Sequence, residues 1–258
     1  MPVHPSAIIH PNAQIDPTAD IGPFCVIGDE VKIGARTRLM ANVYVEGVTE
    51  IGDDNLFYPY SSVGVASQDL KYKGERAETR IGNANTFREF VTIHRGTEGG
   101  GLLTSIGNHN LLMAYTHVAH DVHIGHRCVL ANAVTFAGHV TVGDWAVIGA
   151  HTGVHQFCRV GAHSMIGGYS VVVQDVLPFS LTNGHGRDIK LFDVNKVGME
   201  RRGFAKENIE GLHKAFRILR DPKLNTSKAV EAIKAELQGP EIDAVLAFIA
   251  SSERGIIK

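Results

Sequence analysis

The chain has 258 residues, of which 44% are hydrophobic and 20% are charged, and its formal net charge is -2. This composition is that of an ordinary globular protein, and the charge balance gives no reason to expect nucleic-acid binding. No apolar stretch approaches the roughly 18 to 20 residues that span a bilayer, so no transmembrane segment is expected. The first residues (MPVHP) lack the basic and apolar pattern of a signal peptide, and we therefore expect a cytoplasmic protein.

An aliphatic or aromatic residue returns every six positions from Ile9 onward. The series breaks twice and resumes each time, which gives 25 in-phase positions without a failure inside a run. The three runs extend from Ile9 to Val63, from Ile81 to Ile93 and from Ile106 to Val172. A period of six is a multiple of the strand period of two, so these side chains all face inward. This is the signature of a hexapeptide β-helix.

Two further regularities accompany the series. The residue two positions before each repeat residue is often small or β-branched, and it shares the inward face. Glycine often follows the repeat residue, and we expect it to supply the backbone freedom for a corner. Three hexapeptides form one triangular coil, so residues 18 apart stack about 4.8 Å apart along the axis, and the chain is expected to form about eight coils. Cys25, Cys128 and Cys158 all occupy the small inward position, so we interpret them as core residues.

Two insertions, at 64–80 and 94–105, interrupt the repeat without changing its phase afterwards. Both must therefore loop out of the coil, and loops on a rigid scaffold are favoured places for function. We predict a parallel β-helix with these insertions over residues 1–177.

The repeat stops after Val172, and the remaining sequence changes character. Helical apolar spacing appears at 206–220, 227–237 and 241–252. We predict a C-terminal α-helical domain over 178–258 that caps or flanks the open end of the β-helix.

Histidine is abundant, with 14 in the chain. On a β-helix, histidines six residues apart occupy successive faces, so a single coil cannot gather them at the roughly 2 Å ligand distances of zinc. No metal site is predicted. The stacking rule instead places His120, Gly138 and Gln156 in one column, with Asp121 beside His120. An imidazole is suited to general-base work near neutral pH, and a glycine N–H that approaches a substrate closely can serve as an oxyanion donor.

Seven segments, spread over essentially the whole chain, carry a more specific signal. They are 68–72 (QDLKY), 91–97 (VTIHRGT), 110–121 (NLLMAYTHVAHD), 137–140 (AGHV), 154–157 (VHQF), 201–204 (RRGF) and 254–256 (RGI). Together they resemble the UDP-N-acetylglucosamine O-acyltransferases, the first enzymes of lipid A synthesis. The resemblance implies that the β-helix is left-handed.

The resemblance also implies a reaction. The histidine that matches His120 would remove the proton from the glucosamine 3-hydroxyl, which attacks the thioester of a 3-hydroxyacyl acyl-carrier protein. Asp121 would orient the imidazole and stabilise the imidazolium, and the Gly138 N–H would meet the developing oxyanion. A thioester is already activated, so no cofactor is expected. The same resemblance implies a homotrimer with active sites in the clefts between neighbouring β-helices.

Further substrate contacts follow from the same resemblance. Two basic or amide residues of the C-terminal region match contacts to the nucleotide and its phosphates, and six residues match positions lining the cleft. The former are Asn195 and Arg201; the latter are Asp69, Lys71, His117, His139, His155 and Gln156.

Two positions bear on specificity. The family commonly carries a glutamate two residues after the asparagine that matches Asn195, whereas this chain has Val197. The nucleotide is then held differently or the sugar differs, and a 3-amino sugar that forms an amide stays open. Gly168 matches the position that limits acyl-chain length, and because a glycine leaves the channel open, we predict a longer chain.

Three rival functions stay open on the sequence. The β-helical carbonic anhydrases hold zinc with histidines from adjacent subunits, and His117 and His120 could be recruited in that way. An N-acyltransferase acting on an acylated sugar nucleotide usually carries an extra N-terminal domain, whereas the repeat here begins at residue 9. A non-catalytic scaffold would leave the two insertions and the His120 column without a purpose.

Overall fold

The computed structural model describes residues 3–184 and 188–258. Most of the chain forms short strands, which are separated by turns. In chain order these are β1 (Ile8–Ile9), β2 (Gln14–Ile15), β3 (Asp20–Ile21), β4 (Val26–Ile27), β5 (Val31–Ile33), β6 (Arg38–Leu39), β7 (Tyr44–Val45), β8 (Val48–Ile51), β9 (Leu56–Phe57), β10 (Ser62–Val65), β11 (Glu78–Ile81), β12 (Thr86–Phe87), β13 (Thr92–His94), β14 (Leu103–Ile106), β15 (Leu111–Leu112), β16 (His117–Val118), β17 (His123–Ile124), β18 (Val129–Leu130), β19 (Thr135–Phe136), β20 (Thr141–Val142), β21 (Val147–Ile148), β22 (Gly153–Val154), β23 (Arg159–Val160), β24 (Met165–Ile166), β25 (Val171–Val172), β26 (Ser180–Asn183) and β27 (Lys190–Val194).

The strands form the three faces of a left-handed parallel β-helix, so the predicted fold is confirmed. Face 1 holds nine strands, which are every third strand from β1 to β25, and face 2 holds eight, from β2 to β23. Face 3 holds ten, from β3 to β24 and then β26 and β27. Each strand pairs in register with the strand of the next coil, as Ile9 does with Ile27. Every third strand therefore lies directly above its predecessor.

The glycines that follow the repeat residues act differently from the prediction. Positive φ falls on non-glycine residues at the corners, such as Tyr60 (φ 65°) and Asp121 (φ 58°). Gly22 lies outside the positive-φ region, but a Cβ there would lie 1.5 Å from the carbonyl oxygen of Met40 in the next coil. The prediction that these glycines supply corner freedom was wrong. They allow neighbouring coils to approach closely, while the corner residues adopt the left-handed conformation.

The repeat residues form one continuous core inside the coil. Phe57 and Phe87 stack in it with ring centroids 4.4 Å apart. Cys25, Cys128 and Cys158 are fully buried, and burial raises the pKa of the Cys128 thiol to about 12. This thiol therefore stays protonated at neutral pH, which agrees with its interpretation as a core residue.

A ladder of buried asparagines also runs through the core. Asn55 Oδ1 accepts hydrogen bonds from the backbone N–H and side-chain amide of Asn85, at 3.0 and 2.9 Å. Asn85 Oδ1 accepts the same two from Asn110, at 2.8 and 3.0 Å. Asn110 Oδ1 then accepts the N–H of Cys128 at 2.7 Å. Since each buried amide is satisfied by its neighbours, the ladder costs little to bury.

Two segments leave the coil. Residues 66–77 connect β10 to β11, and residues 95–102 connect β13 to β14 and include a 3₁₀ turn at Glu98–Gly100. Both are shorter than the insertions expected from the sequence, because β11 and β14 each begin three residues before the repeat residue, and β10 and β13 each continue past it. We call them the first and second loops.

The chain after the last coil begins with strands and continues with helices. β26 extends face 3 in parallel with β24, and β27 pairs with β26 in an antiparallel manner. Four helices follow: α1 (Lys196–Arg201), α2 (Lys206–Leu219), α3 (Thr226–Glu236) and α4 (Pro240–Ala250). The three longer helices confirm the predicted spacing. The strand pair and α1 were not predicted, because four to six residues show no clear apolar period.

These helices have their own core and a polar connection to the coil. Buried side chains of α2, α3 and α4, including Phe216, Ile233 and Val245, pack together. Asp175 is buried and accepts hydrogen bonds from Arg159 Nε at 3.0 Å and from the Ser252 hydroxyl at 2.8 Å. The chain's final segment is thereby tied to the last coil. None of the helices in the described ranges is long and apolar enough to cross a bilayer.

Candidate active site

His120 lies at the corner between face 1 and face 2, just after β16. Its Nδ1–H donates to Asp121 Oδ2 at 2.8 Å. Asp121 holds the left-handed backbone conformation of the corner, which turns its carboxylate back beneath the ring. With the proton held on Nδ1, the Nε2 lone pair is left to face outward. The side chain of His120 retains 13% of its exposure, so Nε2 can be reached from solvent.

The carboxylate of Asp121 is buried and surrounded by donors. The backbone N–H of Thr97 donates to Oδ1 at 2.9 Å, and the Thr97 hydroxyl donates to Oδ2 at 2.6 Å. The Asp121 N–H donates to the Thr104 hydroxyl at 2.8 Å. A buried carboxylate held by several donors is fixed in orientation and suited to stabilising a protonated imidazole.

Gly138 lies one coil above His120 and touches its ring. A Cβ at this position would lie 2.3 Å from Cε1 and 2.6 Å from Nε2 of His120, so only glycine allows this contact. The flanking N–H groups donate within the coil, Ala137 to Val154 at 3.0 Å and His139 to His120 at 3.1 Å. No hydrogen bond from the Gly138 N–H occurs among the described residues. This N–H is therefore available for a substrate, on a residue whose backbone packs against the His120 ring.

A cavity of about 790 Å³ opens on face 1 in front of His120. It brings together most of the residues that the sequence assigned to the cleft, and the first loop contributes Gln68 as well. The predicted residues lining it are Asp69, Lys71, His117, His120, Gly138, His155 and Gln156.

The remaining predicted cleft residue, His139, is not among the residues that line the cavity. It stacks on Phe157 with centroids 4.4 Å apart, and its Nδ1 lies 3.9 Å from Asp121 Oδ2. Burial lowers the pKa of His139. Asp69 Oδ2 lies 3.9 Å from His120 Nε2, so one substrate hydroxyl in the cleft could contact both atoms.

His94 is a cleft residue within the VTIHRGT segment, for which the sequence predicted no role. It is buried, lines the cavity and meets His117 edge to face at 4.8 Å between centroids. His117 Nδ1 in turn hydrogen-bonds to the Thr92 hydroxyl at 2.7 Å. Burial lowers the pKa of both rings, that of His94 to about 4. Both rings are therefore neutral at pH 7.

Asn195 and Arg201 lie elsewhere, on face 3. They line a second cavity of about 620 Å³ between that face and α1, together with Arg202 and exposed Val197. The side chain of Asn195 is already engaged as the N-cap of α1, since Oδ1 accepts the Gly198 N–H at 3.2 Å. Within one chain the structure does not bring these residues to His120.

Arg202 is the more buried of the two arginines in this second cavity. Its guanidinium lies 4.9 Å from the Trp145 ring centroid and donates to the Trp145 carbonyl at 3.0 Å. Burial lowers its pKa, and no carboxylate among the described residues forms an ion pair with it. The sequence carried no signal to separate Arg202 from Arg201.

Gly168 lines neither cavity of the single chain. It lies between β24 and β25, at the corner of face 3 and face 1, where a Cβ would be 3.0 Å from the Ala150 carbonyl oxygen. Its role in selecting acyl-chain length stays a prediction.

His120, Asp121 and His139 also satisfy the spacing of a metal-binding group, since one ligand atom from each lies within 4.8 Å of the others. A single coil could not gather three such ligands, but His120 and His139 come from adjacent coils. In the observed arrangement His120 Nδ1 is hydrogen-bonded to Asp121. An ion bound here would displace that hydrogen bond and change the tautomer of His120.

Comparison with known proteins decides the family. A family model described as UDP-N-acetylglucosamine O-acyltransferase, domain 2, matches residues 175–257, and a bacterial transferase hexapeptide model matches 6–39 and 103–138. LpxA from Acinetobacter baumannii is 42% identical, with 100% of both chains covered and a TM-score of 0.96. The chain belongs to the UDP-N-acetylglucosamine O-acyltransferase family. It is an acyltransferase, as its sequence motifs predicted.

Two more solved structures give the same result. The UDP-N-acetylglucosamine acyltransferase of Francisella novicida is 36% identical, with 99% of this chain and 93% of that chain covered and a TM-score of 0.94. The corresponding enzyme of Bacteroides fragilis is 42% identical, with coverage of 99% and 100% and a TM-score of 0.95. The family likeness therefore covers both the coil and the helical region of this acyltransferase.

The buried His94 generates a prediction for folding. In the unfolded chain its pKa returns to about 6.5. Between pH 6.5 and pH 4 the unfolded state therefore binds a proton at this residue and the folded state does not. Stability from this residue is present above pH 6.5 and is lost as the pH falls toward 4. Between pH 7.5 and pH 5 the free energy of unfolding should fall in both proteins. We expect the fall to be about 2 kcal/mol smaller in the His94→Phe variant than in the parent chain.

Urea unfolding at the two pH values measures this difference directly. His117 and His139, whose pKa values are also lowered, are present in both proteins and cancel in the comparison. An identical loss of stability in variant and parent would contradict the prediction.

Proposed function

We propose that this acyltransferase moves an (R)-3-hydroxyacyl chain from acyl-carrier protein to the 3-hydroxyl of the glucosamine in UDP-N-acetylglucosamine, as the first step of lipid A biosynthesis. The observation that carries the proposal is the arrangement of His120. Its Nδ1 is held by buried Asp121, and its Nε2 lies against the N–H-bearing backbone of Gly138 at the edge of a cavity. A base and an oxyanion donor next to each other are what acyl transfer to a hydroxyl requires.

The proposed reaction proceeds in two steps. His120 Nε2 takes the proton of the 3-hydroxyl while its oxygen bonds to the thioester carbonyl carbon, and the carbonyl oxygen becomes an oxyanion that the Gly138 N–H stabilises. The intermediate then collapses, the carbon–sulfur bond breaks, and the imidazolium returns its proton to the departing thiolate. Asp121 stabilises the imidazolium between the two steps. The thioester already supplies a good leaving group, so the sequence of bonds is complete without a cofactor.

The neighbouring histidines support this assignment of the base. Burial lowers the pKa values of His94, His117 and His139, so these rings stay neutral at pH 7. They offer hydrogen bonds to the substrate or the site without becoming charged. His120, which alone among them is hydrogen-bonded to a buried carboxylate, is the ring best placed to carry a proton through the reaction.

We further propose that the protein works as a homotrimer. The cavity in front of the base opens on face 1, and the cavity with Asn195 and Arg201 lies against face 3, so one chain cannot apply both to one substrate. When face 1 of one copy meets face 3 of the next, a heterologous contact closes into a ring of three. Each cleft then contains His120 from one copy and the nucleotide-binding residues from its neighbour.

An exposed aromatic ladder supports the same arrangement. At the corner of faces 3 and 1, Tyr60 stacks on Phe90 at 5.1 Å, and Phe90 stacks on Tyr115 at 4.9 Å. These side chains are 53%, 41% and 60% exposed. In the proposed ring this corner points at the threefold axis, where contiguous apolar surface would be covered.

The acceptor and the compartment are part of the proposal. Val197 is apolar and 58% exposed in the second cavity, so it offers no carboxylate to the nucleotide, and a 3-amino sugar nucleotide is the second acceptor to assay. We place the reaction in the cytoplasm. Three buried free thiols suit a reducing compartment.

The first prediction from the proposed function is loss of turnover when the base is removed. With UDP-N-acetylglucosamine and 3-hydroxyacyl carrier protein, we expect His120→Ala to lower kcat by about 10²- to 10⁴-fold. Mass spectrometry of the acylated sugar nucleotide measures the rate. His109→Ala, at an exposed corner on the opposite edge of the coil, is the matched control and should keep the parental rate. Parental turnover in His120→Ala would refute the assignment of the base.

The second prediction tests the shared site. His120→Ala and Arg201→Ala chains should each be nearly inactive alone. Unfolded together and reassembled at equal amounts, they should regain up to about a quarter of the parental activity, because some clefts combine two intact halves. Separately reassembled variants are the control. Failure of the mixture to exceed them, while reassembled parental protein is active, would contradict a site built from two copies.

The third prediction concerns the acyl chain. Gly168→Met should shift the preferred donor to a shorter 3-hydroxyacyl chain, because the added side chain would narrow the channel that glycine leaves open. A competition assay with a panel of carrier proteins of different chain length measures the preference. An unchanged preference would remove Gly168 from the determinants of chain length.

A further inference from the structure

The second loop packs directly against the acid that supports the base. Thr97 is 5% exposed and gives Asp121 two hydrogen bonds, one from its backbone N–H and one from its hydroxyl. On the other side of the carboxylate, a Cβ at Gly100 would lie 2.0 Å from Asp121 Cγ. The loop backbone therefore rests on the carboxylate and leaves it no space to turn.

The two hydrogen bonds of Thr97 have different targets. The backbone N–H binds Oδ1, while the hydroxyl binds Oδ2, the same oxygen that accepts the Nδ1–H of His120. At 2.6 Å the hydroxyl bond is a short contact of a hydroxyl with a carboxylate. A carboxylate held through both oxygens can rotate about its Cβ–Cγ bond only by breaking one of these bonds.

The loop itself is held in place by its own backbone. The N–H groups of Gly100 and Leu102 both donate to the Thr97 carbonyl, at 3.0 and 2.9 Å. The Glu98 N–H donates to the Glu75 carboxylate of the first loop at 3.2 Å, and that loop also carries Asp69. Thr97 is thus fixed on the loop before it contacts Asp121.

We propose that Thr97 is a positioning residue of the acyltransferase site. It acts through Asp121, whose Oδ2 it holds toward Nδ1 of His120, so that Nε2 faces the cleft in the correct tautomer. Thr97 is not among the residues that line the cavity in front of His120. The inference rests on the proposed function, and it assigns to the second loop the task of aligning the base.

The decisive variants separate the hydroxyl from the volume of the side chain. Thr97→Val removes the donor at nearly constant shape and keeps the backbone N–H bond to Oδ1, while Thr97→Ser keeps the donor. We expect Thr97→Val to lower kcat by about 10-fold or more, which is part of the roughly 10²- to 10⁴-fold that a general base contributes. The KM for the sugar nucleotide should stay unchanged, and Thr97→Ser should restore most of kcat.

The pH profile distinguishes positioning from support of the fold. Without the hydroxyl, Oδ2 is no longer held toward Nδ1 of His120, so Asp121 stabilises the imidazolium less well. The acidic limb of kcat/KM in Thr97→Val should therefore move to lower pH, and it should return in Thr97→Ser. Glu98→Gln, exposed on the same loop, is the control and should keep both the parental rate and the parental limb.

A double variant completes the test. In the His120→Ala background Thr97→Val should leave the residual rate unchanged, because a residue that acts only through the base has nothing left to position. A further fall in that background, or a loss of kcat with an unmoved acidic limb, would overturn the inference. If the parental protein turns over no substrate, the proposed function fails. Parental turnover with an unaffected Thr97→Val refutes only the role of Thr97.

Discussion

The close stacking of one coil on the next is the constraint on which the rest of this structure depends. Each short strand obtains its hydrogen bonds from the strands directly above and below, and glycines such as Gly22 let the backbones approach where a Cβ would collide. Because two-residue strands are too short to persist alone, no coil is stable without its neighbours. Residues distant in sequence are therefore held at fixed separations.

The active site uses this property directly. His120 and Gly138 touch because they are one coil apart, and the second loop reaches Asp121 from the coil below. The backbone of Asp121 is in the left-handed conformation, as it is at most of the other corners of the coil. The fold thus supplies a corner at which the carboxylate of Asp121 hydrogen-bonds to the adjacent imidazole. The acid and the base are sequence neighbours, and their geometry is a property of the corner.

The sequence predicted the coil well because its signal is periodic and repeated many times. It also predicted the column that contains His120 and Gly138, since a spacing of 18 residues places them one above the other. The function of glycine was misjudged, because spacing alone does not tell a positive φ from a close backbone approach. Thr97 was missed for another reason: the second loop has no period, so its contact with Asp121 depends on a path that only coordinates reveal. Arg202 differs from Arg201 in burial, and the sequence of two neighbouring arginines does not show which one is buried.

The asparagine ladder has a consequence for the two loops. The first loop separates Asn55 from Asn85, and the second separates Asn85 from Asn110, yet each pair is joined by two hydrogen bonds. The ladder therefore spans the two coils from which chain has been diverted, and it sets the register there independently of loop length. The coil can therefore keep its register at both points whatever length of chain the loops carry. The loop residues that reach the site, such as Asp69 on the first loop and Thr97 on the second, thus start from a frame whose register does not depend on the rest of their loops.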